Sequence, residues 1–438
     1  MKQPNESPTS RRHFLQTSSA AVVGGALASN LSFPSFTTGA PISDKLKIGF
    51  IGCGGRGTGA ASQALNADSN VELHAMADVF ADRLKVSLES LNKMHSGKVN
   101  VPPARQFIGL DAYQKAIECC DLVLLTTPPG FRPQHLKAAI EAGRHAFVEK
   151  PMATDAPGLR SVLESAALAK KKNLAVVAGF DWRYNHSRRE LVKRLHDGAI
   201  GDLRAMYVTC CVAAIRPMPA PDSRPAGMGD VEWQVRNWYN FAWTCGDTLV
   251  ENCCHSIDRM LWMMRDVPPV KCMALGGRQI SNPGGNIYDH FEANYTWADG
   301  TRGFAVSRHQ DRCFNDVTDD ILGAKGRAFA RADDRSKPRT EIIAPEAWRY
   351  NGPWNLSYQT EHDELFASLR AGEPINNGVR MAHSTLAALM GRMSAYTGQE
   401  ITWEMALNSQ EKLMPDHLDW NAPLPVAPMA MPGVTKFV

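Results

Sequence analysis

The chain has 438 residues, of which 44% are hydrophobic and 21% are charged, a composition typical of globular proteins. This length predicts about two to three domains. The formal net charge of +3 falls to about +1 without residues 1–28, which hold two arginines, one lysine and one glutamate. Such a balance leaves no broad basic surface, so nucleic acid is excluded as an expected partner.

The first 28 residues have the pattern of an export signal. "SRRHFL" at 10–15 precedes an uncharged run that ends in the small residues "ALA" at 26–28. The run is shorter than the ~20 residues of a membrane-spanning helix. The pattern resembles a bacterial twin-arginine signal. It predicts a periplasmic or otherwise exported protein that uses the twin-arginine translocation machinery, with cleavage near Ala28 and a linker over 29–44. A disordered tail and an uncleaved, membrane-tethered signal are the alternatives.

Residues 45–180 alternate between strand and helix patterns. "KLKIGFIG", "VELHAMAD", "CDLVLLTTPP", "HAFVEK" and "LAVVAGF" are apolar, strand-like runs, and helical stretches such as "PQHLKAAIEAG" separate them. This alternation predicts a doubly wound parallel sheet, so we expect an α/β fold with an N-terminal Rossmann domain.

Longer amphipathic strands follow over 181–410, among them "LRAMYVTCCVAA", "VKCMALGGRQI" and "HFEANYTWADGTRGFAVSRH". The "DG" at 299–300 indicates a hairpin turn. We expect an α+β domain here, with a large, open, mostly antiparallel sheet that packs one face against the first domain or a partner. The tail at 411–438 is rich in proline and is expected to lie extended over a surface.

"GCGGRG" at 52–57 fits the dinucleotide-binding pattern G-x-G-x-x-G between a predicted strand and a predicted helix. Gly52 permits the tight turn, Gly54 lets the backbone approach a pyrophosphate, and Gly57 lets helix and strand pack closely. The N–H groups at the helix start would then bind the phosphates. A purely structural glycine turn is the alternative. The other loop residues assigned to the cofactor are Gly55 and Arg56.

Asp78 ends the next predicted strand, 21 residues after Gly57. At this position a carboxylate accepts hydrogen bonds from the adenosine ribose and repels a 2′-phosphate, which favours NAD. NADP stays open, because Arg56 and Arg83 are available for that phosphate.

"HAFVEKPMAT" places Glu149, Lys150 and Pro151 where a strand of the parallel sheet ends. Ligands bind beyond the carboxyl ends of such strands, so Lys150 is expected to point at the nicotinamide side of the crevice. A surface lysine is the alternative. Close to an oxidised nicotinamide, the pKa of Lys150 is expected to be lowered.

"GDTLVENCCHSIDRMLWMM" at 246–264 has the apolar spacing of a helix that carries Glu251, His255 and Asp258 on one face. We expect Glu251 to orient His255 and raise its basicity, as a general base requires. A core histidine satisfied by Glu251 is the alternative. No metal site is expected, because consecutive side chains at 253–255 diverge by about 100° on a helix.

These elements together resemble the Gfo/Idh/MocA family, which includes glucose-fructose oxidoreductase and inositol dehydrogenase, in an exported, twin-arginine form. "IGFIGCGGRG", "HAFVEKPMAT", "GFDWRYN", "VENCCHSID" and "DILGAKGRAF" carry the resemblance, which runs from about Lys45 to about Trp403. It implies a Rossmann domain followed by an open-faced α/β domain, NAD or NADP, and a sugar or cyclitol substrate. It also implies a homodimer or homotetramer.

The resemblance implies roles for single residues. Lys150 matches the family's lysine next to the reacting hydroxyl, and His255 matches its acid/base histidine. Glu251 stands where many members have Asp, so its partner is either His255 or a substrate hydroxyl. The residues that the resemblance places along the cofactor are Thr127, Pro128, Glu149 and Lys150.

The family's substrate segment corresponds to Arg183 and Tyr184. The long loop that ends in "EWQVRNWYNFAW" at 232–243 resembles what exported relatives insert near the site, although it equally suits a core or a subunit interface. The further substrate candidates are Arg236, Asn237, Trp238, Tyr239 and Asp258.

The expected reaction is reversible oxidation of a secondary alcohol on a sugar, sugar derivative or cyclitol, with tightly held NAD(P). His255 and Lys150 would remove the hydroxyl proton while a hydride passes to the nicotinamide. One alternative is an NAD-dependent glycoside hydrolase that oxidises the sugar transiently. The other is a non-catalytic binding protein that keeps the fold.

Overall fold

The computed structural model describes residues 44–331 and 339–438. The predicted signal peptide and most of the linker lie outside the described residues. Within those two ranges, no helix combines the length and the apolar character needed to cross a membrane.

The first sheet has six parallel strands in the order β3-β2-β1-β4-β5-β6. Its central strands are buried along most of their length because helices cover both faces, as in parallel sheets generally. This confirms the predicted doubly wound N-terminal domain. The strands are β1 (Leu46–Ile51), β2 (Val71–Asp78), β3 (Gln106–Ile108), β4 (Leu122–Leu125), β5 (His145–Val148) and β6 (Val176–Ala178).

Five helices connect these strands and supply the apolar side chains that cover the sheet. Asp155 caps the longest of them, because its carboxylate accepts the Gly158 N–H at 2.8 Å. The helices are α1 (Gly55–Ala67), α2 (Ala81–His95), α3 (Ala112–Glu118), α4 (Arg132–Glu141) and α5 (Ala156–Lys171).

The second half of the chain forms a nine-stranded sheet in the order β14-β13-β12-β11-β7-β10-β9-β8-β15. Only the pair β7–β10 is parallel, and the turn at 297–301 joins β9 to β10, so the predicted antiparallel sheet and hairpin are confirmed. The strands are β7 (Leu203–Val212), β8 (Lys271–Gly277), β9 (His290–Thr296), β10 (Arg302–His309), β11 (Thr318–Gly323), β12 (Arg327–Arg331), β13 (Arg339–Ala344), β14 (Trp348–Arg349) and β15 (Ile401–Thr402).

Helices cover one face of this sheet, and the burial along its strands alternates accordingly. The opposite face leaves Tyr207, Met273, Leu275, Leu322 and Ile343 exposed. The helices that follow β6 are α6 (His186–His196), α7 (Asp230–Arg236), α8 (Ala242–Cys245), α9 (Cys254–Met263), α10 (Ser357–Arg370), α11 (Gly378–Thr397) and α12 (Trp403–Asn408). Of these, α6, α9, α11 and α12 pack against the sheet.

Helix α11 joins the two sheets into one core. Nearly all of its side chains are buried, because it lies between α5 of the first sheet and α9 and β8 of the second. The tail at 411–438, which follows α12, is extended, and hydrogen bonds to its backbone attach it to the rest of the protein. The Leu424 N–H donates to Asp230, and the Ala430 carbonyl accepts a bond from Tyr288.

Candidate active site

A cavity lies beyond the carboxyl ends of β1, β2 and β4. Its walls are mainly apolar, with a few polar groups that converge on it, as is typical of cofactor sites. The predicted cofactor residues found in its wall are Gly52, Gly54, Gly55, Arg56, Gly57, Asp78, Thr127 and Pro128.

The glycine loop has the geometry that a dinucleotide requires. Gly52 has a φ of +97°, and a Cβ there would lie 2.7 Å from the Thr127 nitrogen. A Cβ at Gly57 would lie 2.3 Å from the Gly52 carbonyl oxygen, so helix and turn can pack only without a side chain. At Gly54 and Gly55 a Cβ would meet nothing within 4 Å, so the backbone is open on that side. The loop fits a pyrophosphate at the start of α1.

Asp78 lies at the end of β2, where a ribose would be bound. Its carboxylate accepts the Cys53 N–H at 2.6 Å and the Phe80 N–H at 2.8 Å, which fixes its position at the cavity wall. Burial raises the pKa of Asp78 above its usual value.

Both arginines suggested for a 2′-phosphate line the cavity. Arg56 also donates to Glu149 at 2.6 Å and stacks on the ring of Tyr358 at 4.2 Å, so its guanidinium is already paired within the protein.

Lys150 follows β5, and its ammonium is buried against Glu251. Its Nζ donates to the Glu251 backbone carbonyl at 2.6 Å and to Oε1 at 3.1 Å. Burial acts to lower the pKa of Lys150, but Glu251, Cys254 and Glu149 outweigh it, and the pKa is raised. Glu251 stabilises the charged form of Lys150 in this way, and the lowered pKa expected beside an oxidised nicotinamide stays a prediction.

Glu251 therefore does not orient His255, contrary to the sequence prediction. The segment Leu249–Cys253 is a π-helix, and α9 begins only at Cys254. The wider turn breaks the i, i+4 alignment that a continuous α-helix would give, and Glu251 faces Lys150. Short π segments of this kind are frequent at functional sites.

The carboxylate beside His255 is Asp181, which the sequence analysis did not single out. Its Oδ1 lies 3.7 Å from His255 Nδ1, and the two side chains are 4% and 14% exposed. Asp181 follows β6 as Lys150 follows β5. The rule that sites form beyond the carboxyl ends of parallel strands would have identified it if applied to this strand.

Two predicted substrate residues form a buried ion pair instead. Arg183 binds both oxygens of Asp258 at 2.9–3.0 Å, and their side chains are 3% and 1% exposed. Arg183 also binds Asp266, and the Tyr184 hydroxyl accepts a bond from Asn377. The polar groups of Arg183 and Asp258 are thus paired with each other inside the protein. This ion pair connects α9 to the segment after β6.

The loop residues predicted to bind sugar are divided between two places. Arg236 stacks on the Phe80 ring at 3.9 Å and pairs with Asp82, and Asn237 donates to the Trp233 carbonyl. Arg236 thus fixes the loop to the first domain, whereas the Asn237 bond stays within the loop. Trp238 lines the cofactor cavity.

Tyr239 lies on the other side of the loop. It is buried, and its hydroxyl has no hydrogen-bond partner in the described part of the chain. Glu251 lies near this hydroxyl and, together with burial, raises the pKa of Tyr239. The hydroxyl is thus close to the lysine–glutamate pair.

Comparison with known families identifies the first domain. Residues 46–180 match the Gfo/Idh/MocA model, described as an oxidoreductase family with an NAD-binding Rossmann fold. For residues 46–180, this confirms the resemblance drawn from the sequence motifs and the NAD-binding character of the domain.

Curated relatives match only part of the chain. A glycosyl hydrolase family 109 protein of Streptomyces coelicolor is 29% identical over 160 residues, which cover 36% of this chain and 32% of that protein. One of the same name from Shewanella baltica is 26% identical over 213 residues, 44% of each chain. The matched regions thus span less than half of these relatives.

Solved structures match over most of the chain. The aldose-aldose oxidoreductase of Caulobacter crescentus, complexed with glycerol, gives a TM-score of 0.64 at 18% identity and covers 82% of this chain and 99% of that one. The WlbA dehydrogenase of Bordetella pertussis, in complex with NADH and UDP-GlcNAcA, gives 0.62 at 18% identity, with 82% and 98% covered. These likenesses establish the two-domain fold.

Proposed function

We propose that this chain, whose residues 46–180 carry the NAD-binding domain of the Gfo/Idh/MocA oxidoreductase family, oxidises a secondary alcohol of a sugar, sugar derivative or cyclitol. The observation that carries the proposal is the buried ammonium of Lys150, held by Glu251 at the end of β5. A cation fixed beyond the end of the parallel sheet stabilises the alkoxide that forms as a hydroxyl loses its proton.

The chain's own residues supply acid–base chemistry and positioning. The nicotinamide, when bound, accepts or returns the hydride. Lys150 binds the reacting oxygen, and His255 takes the hydroxyl proton. Burial and Lys150 hold the pKa of His255 well below its usual value, so the ring carries no proton that would block this step. The neutral ring is then ready to act as a base.

Lys150→Ala tests this role. We expect turnover to fall by about 10²- to 10³-fold, the loss seen when one group that stabilises an oxyanion is removed. NAD affinity should stay within about twofold. The exposed Lys137→Ala on α4 is the control. Sugars and cyclitols are screened by absorbance of the reduced cofactor, and normal turnover in Lys150→Ala would contradict the proposal.

NAD is the expected cofactor, with NADP as the alternative. Asp78 presents a carboxylate where a 2′-phosphate would lie, and Arg56 is paired with Glu149. Calorimetric titration of both cofactors decides between them.

A second candidate function is NAD-dependent glycoside hydrolysis by transient oxidation. The name of the two curated relatives supports it. Release of free sugar from a glycoside, with no net formation of NADH, would favour this activity over simple oxidation.

Export and self-association complete the proposal. A protein carried by the twin-arginine machinery into the periplasm is expected to keep its cofactor through purification, because no NAD pool surrounds it there. The exposed apolar residues of the open sheet face suit a homodimer or homotetramer. N-terminal sequencing of the exported protein and light scattering test these two points.

A further inference from the structure

We infer that Asp181 is the positioning residue for His255: its carboxylate holds the Nδ1–H of the ring and balances the charge of the imidazolium formed during proton transfer. This role rests on the proposed function and assigns the acid–base pair within it. The sequence pattern had given it to Glu251, which is bound to Lys150.

The geometry of the pair supports this role. Asp181 Oδ1 and His255 Nδ1 are 3.7 Å apart, and each is buried without a hydrogen-bond partner among the described residues. Asp181 Oδ2 accepts a bond from the Ser357 hydroxyl at 2.7 Å, which fixes the carboxylate. The ring of Phe180 meets the imidazole edge-on, at 5.9 Å and 85°. Closing the gap by about 1 Å forms a hydrogen bond, and catalytic bonds commonly tighten in this way when substrate binds.

The surrounding charges set the protonation states of the pair. Burial raises the pKa of Asp181 to about 6, whereas burial and Lys150 lower that of His255. Near neutral pH, Asp181 is therefore mainly ionised and His255 is neutral. Other charged or titratable groups on the neighbouring elements also act on Asp181 and His255. They are Arg56, Glu149, Lys150, Arg188, Arg259, Tyr358 and Glu361.

An ionised Asp181 selects one tautomer of His255. The carboxylate can only accept, so Nδ1 carries the hydrogen and Nε2 keeps the lone pair that takes the substrate proton. When Asp181 is protonated below about pH 6, its O–H donates to Nδ1 and the ring loses this orientation. Turnover should therefore rise with pH through about 6, as Asp181 ionises.

Asp181→Asn removes the charge and keeps an oxygen for Ser357. We expect kcat at pH 8 to fall by about 10- to 100-fold, KM to change less than about twofold, and the rise near pH 6 to disappear. Asp181→Glu should recover part of the rate. Asp320→Asn, the same change at a residue of β11 that pairs with Arg327, is the control. An unchanged pH profile of kcat in Asp181→Asn would overturn the inference.

A readout without turnover separates this inference from the proposed function. In ¹⁵N-histidine-labelled protein, with His255→Gln for assignment, the wild type at pH 8 should show hydrogen on Nδ1 of His255. Asp181→Asn should shift it towards Nε2. An identical tautomer in both proteins would refute the role of Asp181. An inactive wild type that still shows the Asp181-dependent tautomer would refute the proposed reaction alone.

Discussion

Replacing Asp258 with alanine decides whether the Arg183–Asp258 pair supports the fold or binds substrate. Both side chains are almost fully buried, and Asp258 also accepts a bond from Ser384 at 2.7 Å. Removing one member of a buried pair costs about 3–5 kcal/mol, because the other charge stays behind unpaired. Asp266 remains as a second acceptor for Arg183, so we expect the lower end, about 3 kcal/mol.

Urea unfolding measures this cost. With a denaturant slope of about 3 kcal/mol per M, a loss of about 3 kcal/mol lowers the midpoint by about 1 M. The chain has ten tryptophans, so fluorescence follows the transition. Asp266→Asn is the matched control, because Asp266 is 37% exposed, so water solvates its carboxylate and its pairing should contribute less than that of the buried Asp258. If Asp258→Ala unfolded at the wild-type midpoint and raised only KM, the ion pair would be a substrate contact and the structural reasoning would be wrong.

Three further predictions concern the site. Lys150 has a raised pKa, so its pairing adds stability that is present below the pKa of an unfolded lysine and is lost as pH rises through the folded value. Glu251→Gln removes the largest of the charges that raise this pKa and should move the alkaline fall of kcat to lower pH. Gly57→Ala should abolish NAD binding in calorimetry, because its Cβ would lie 2.3 Å from the Gly52 carbonyl oxygen, whereas Gly59→Ala, whose Cβ has no neighbour closer than 3.6 Å, should bind normally. Asp78→Ser should reduce the preference for NAD over NADP by about tenfold, seen as the ratio of the two dissociation constants.

The cofactor loop was predictable because its geometry is local. A strand, three glycines and a helix start lie within a dozen successive residues, so the whole motif can be read from one short stretch of sequence. The alternation of strands and helices likewise predicted the first sheet, and the amphipathic strands after residue 181 predicted the second, because burial on one face leaves a period that can be read along the chain.

The partners of the charged residues were not predictable in the same way. Arg56 pairs with Glu149 across 93 positions, and Arg183 pairs with Asp258 across 75. No local pattern encodes such pairings. The prediction that Glu251 orients His255 was wrong for a different reason. It assumed α-helical spacing, which the π-helix at Leu249–Cys253 interrupts.

The long loop before α8 borders the cofactor cavity, and its packing bears on how tightly an exported protein would hold its cofactor. Val231, Val235 and Trp243 form an apolar cluster with Phe80 and Phe131 of the first domain, and tail residues from Leu413 to Leu424 pack against it. Trp238 adds part of the cavity wall, so a loop predicted to contact sugar also borders the cofactor. If this cluster must open before a dinucleotide leaves, release is slow, since apolar surface has to be exposed to water. Slow release is what an enzyme working away from the cytoplasmic NAD pool requires.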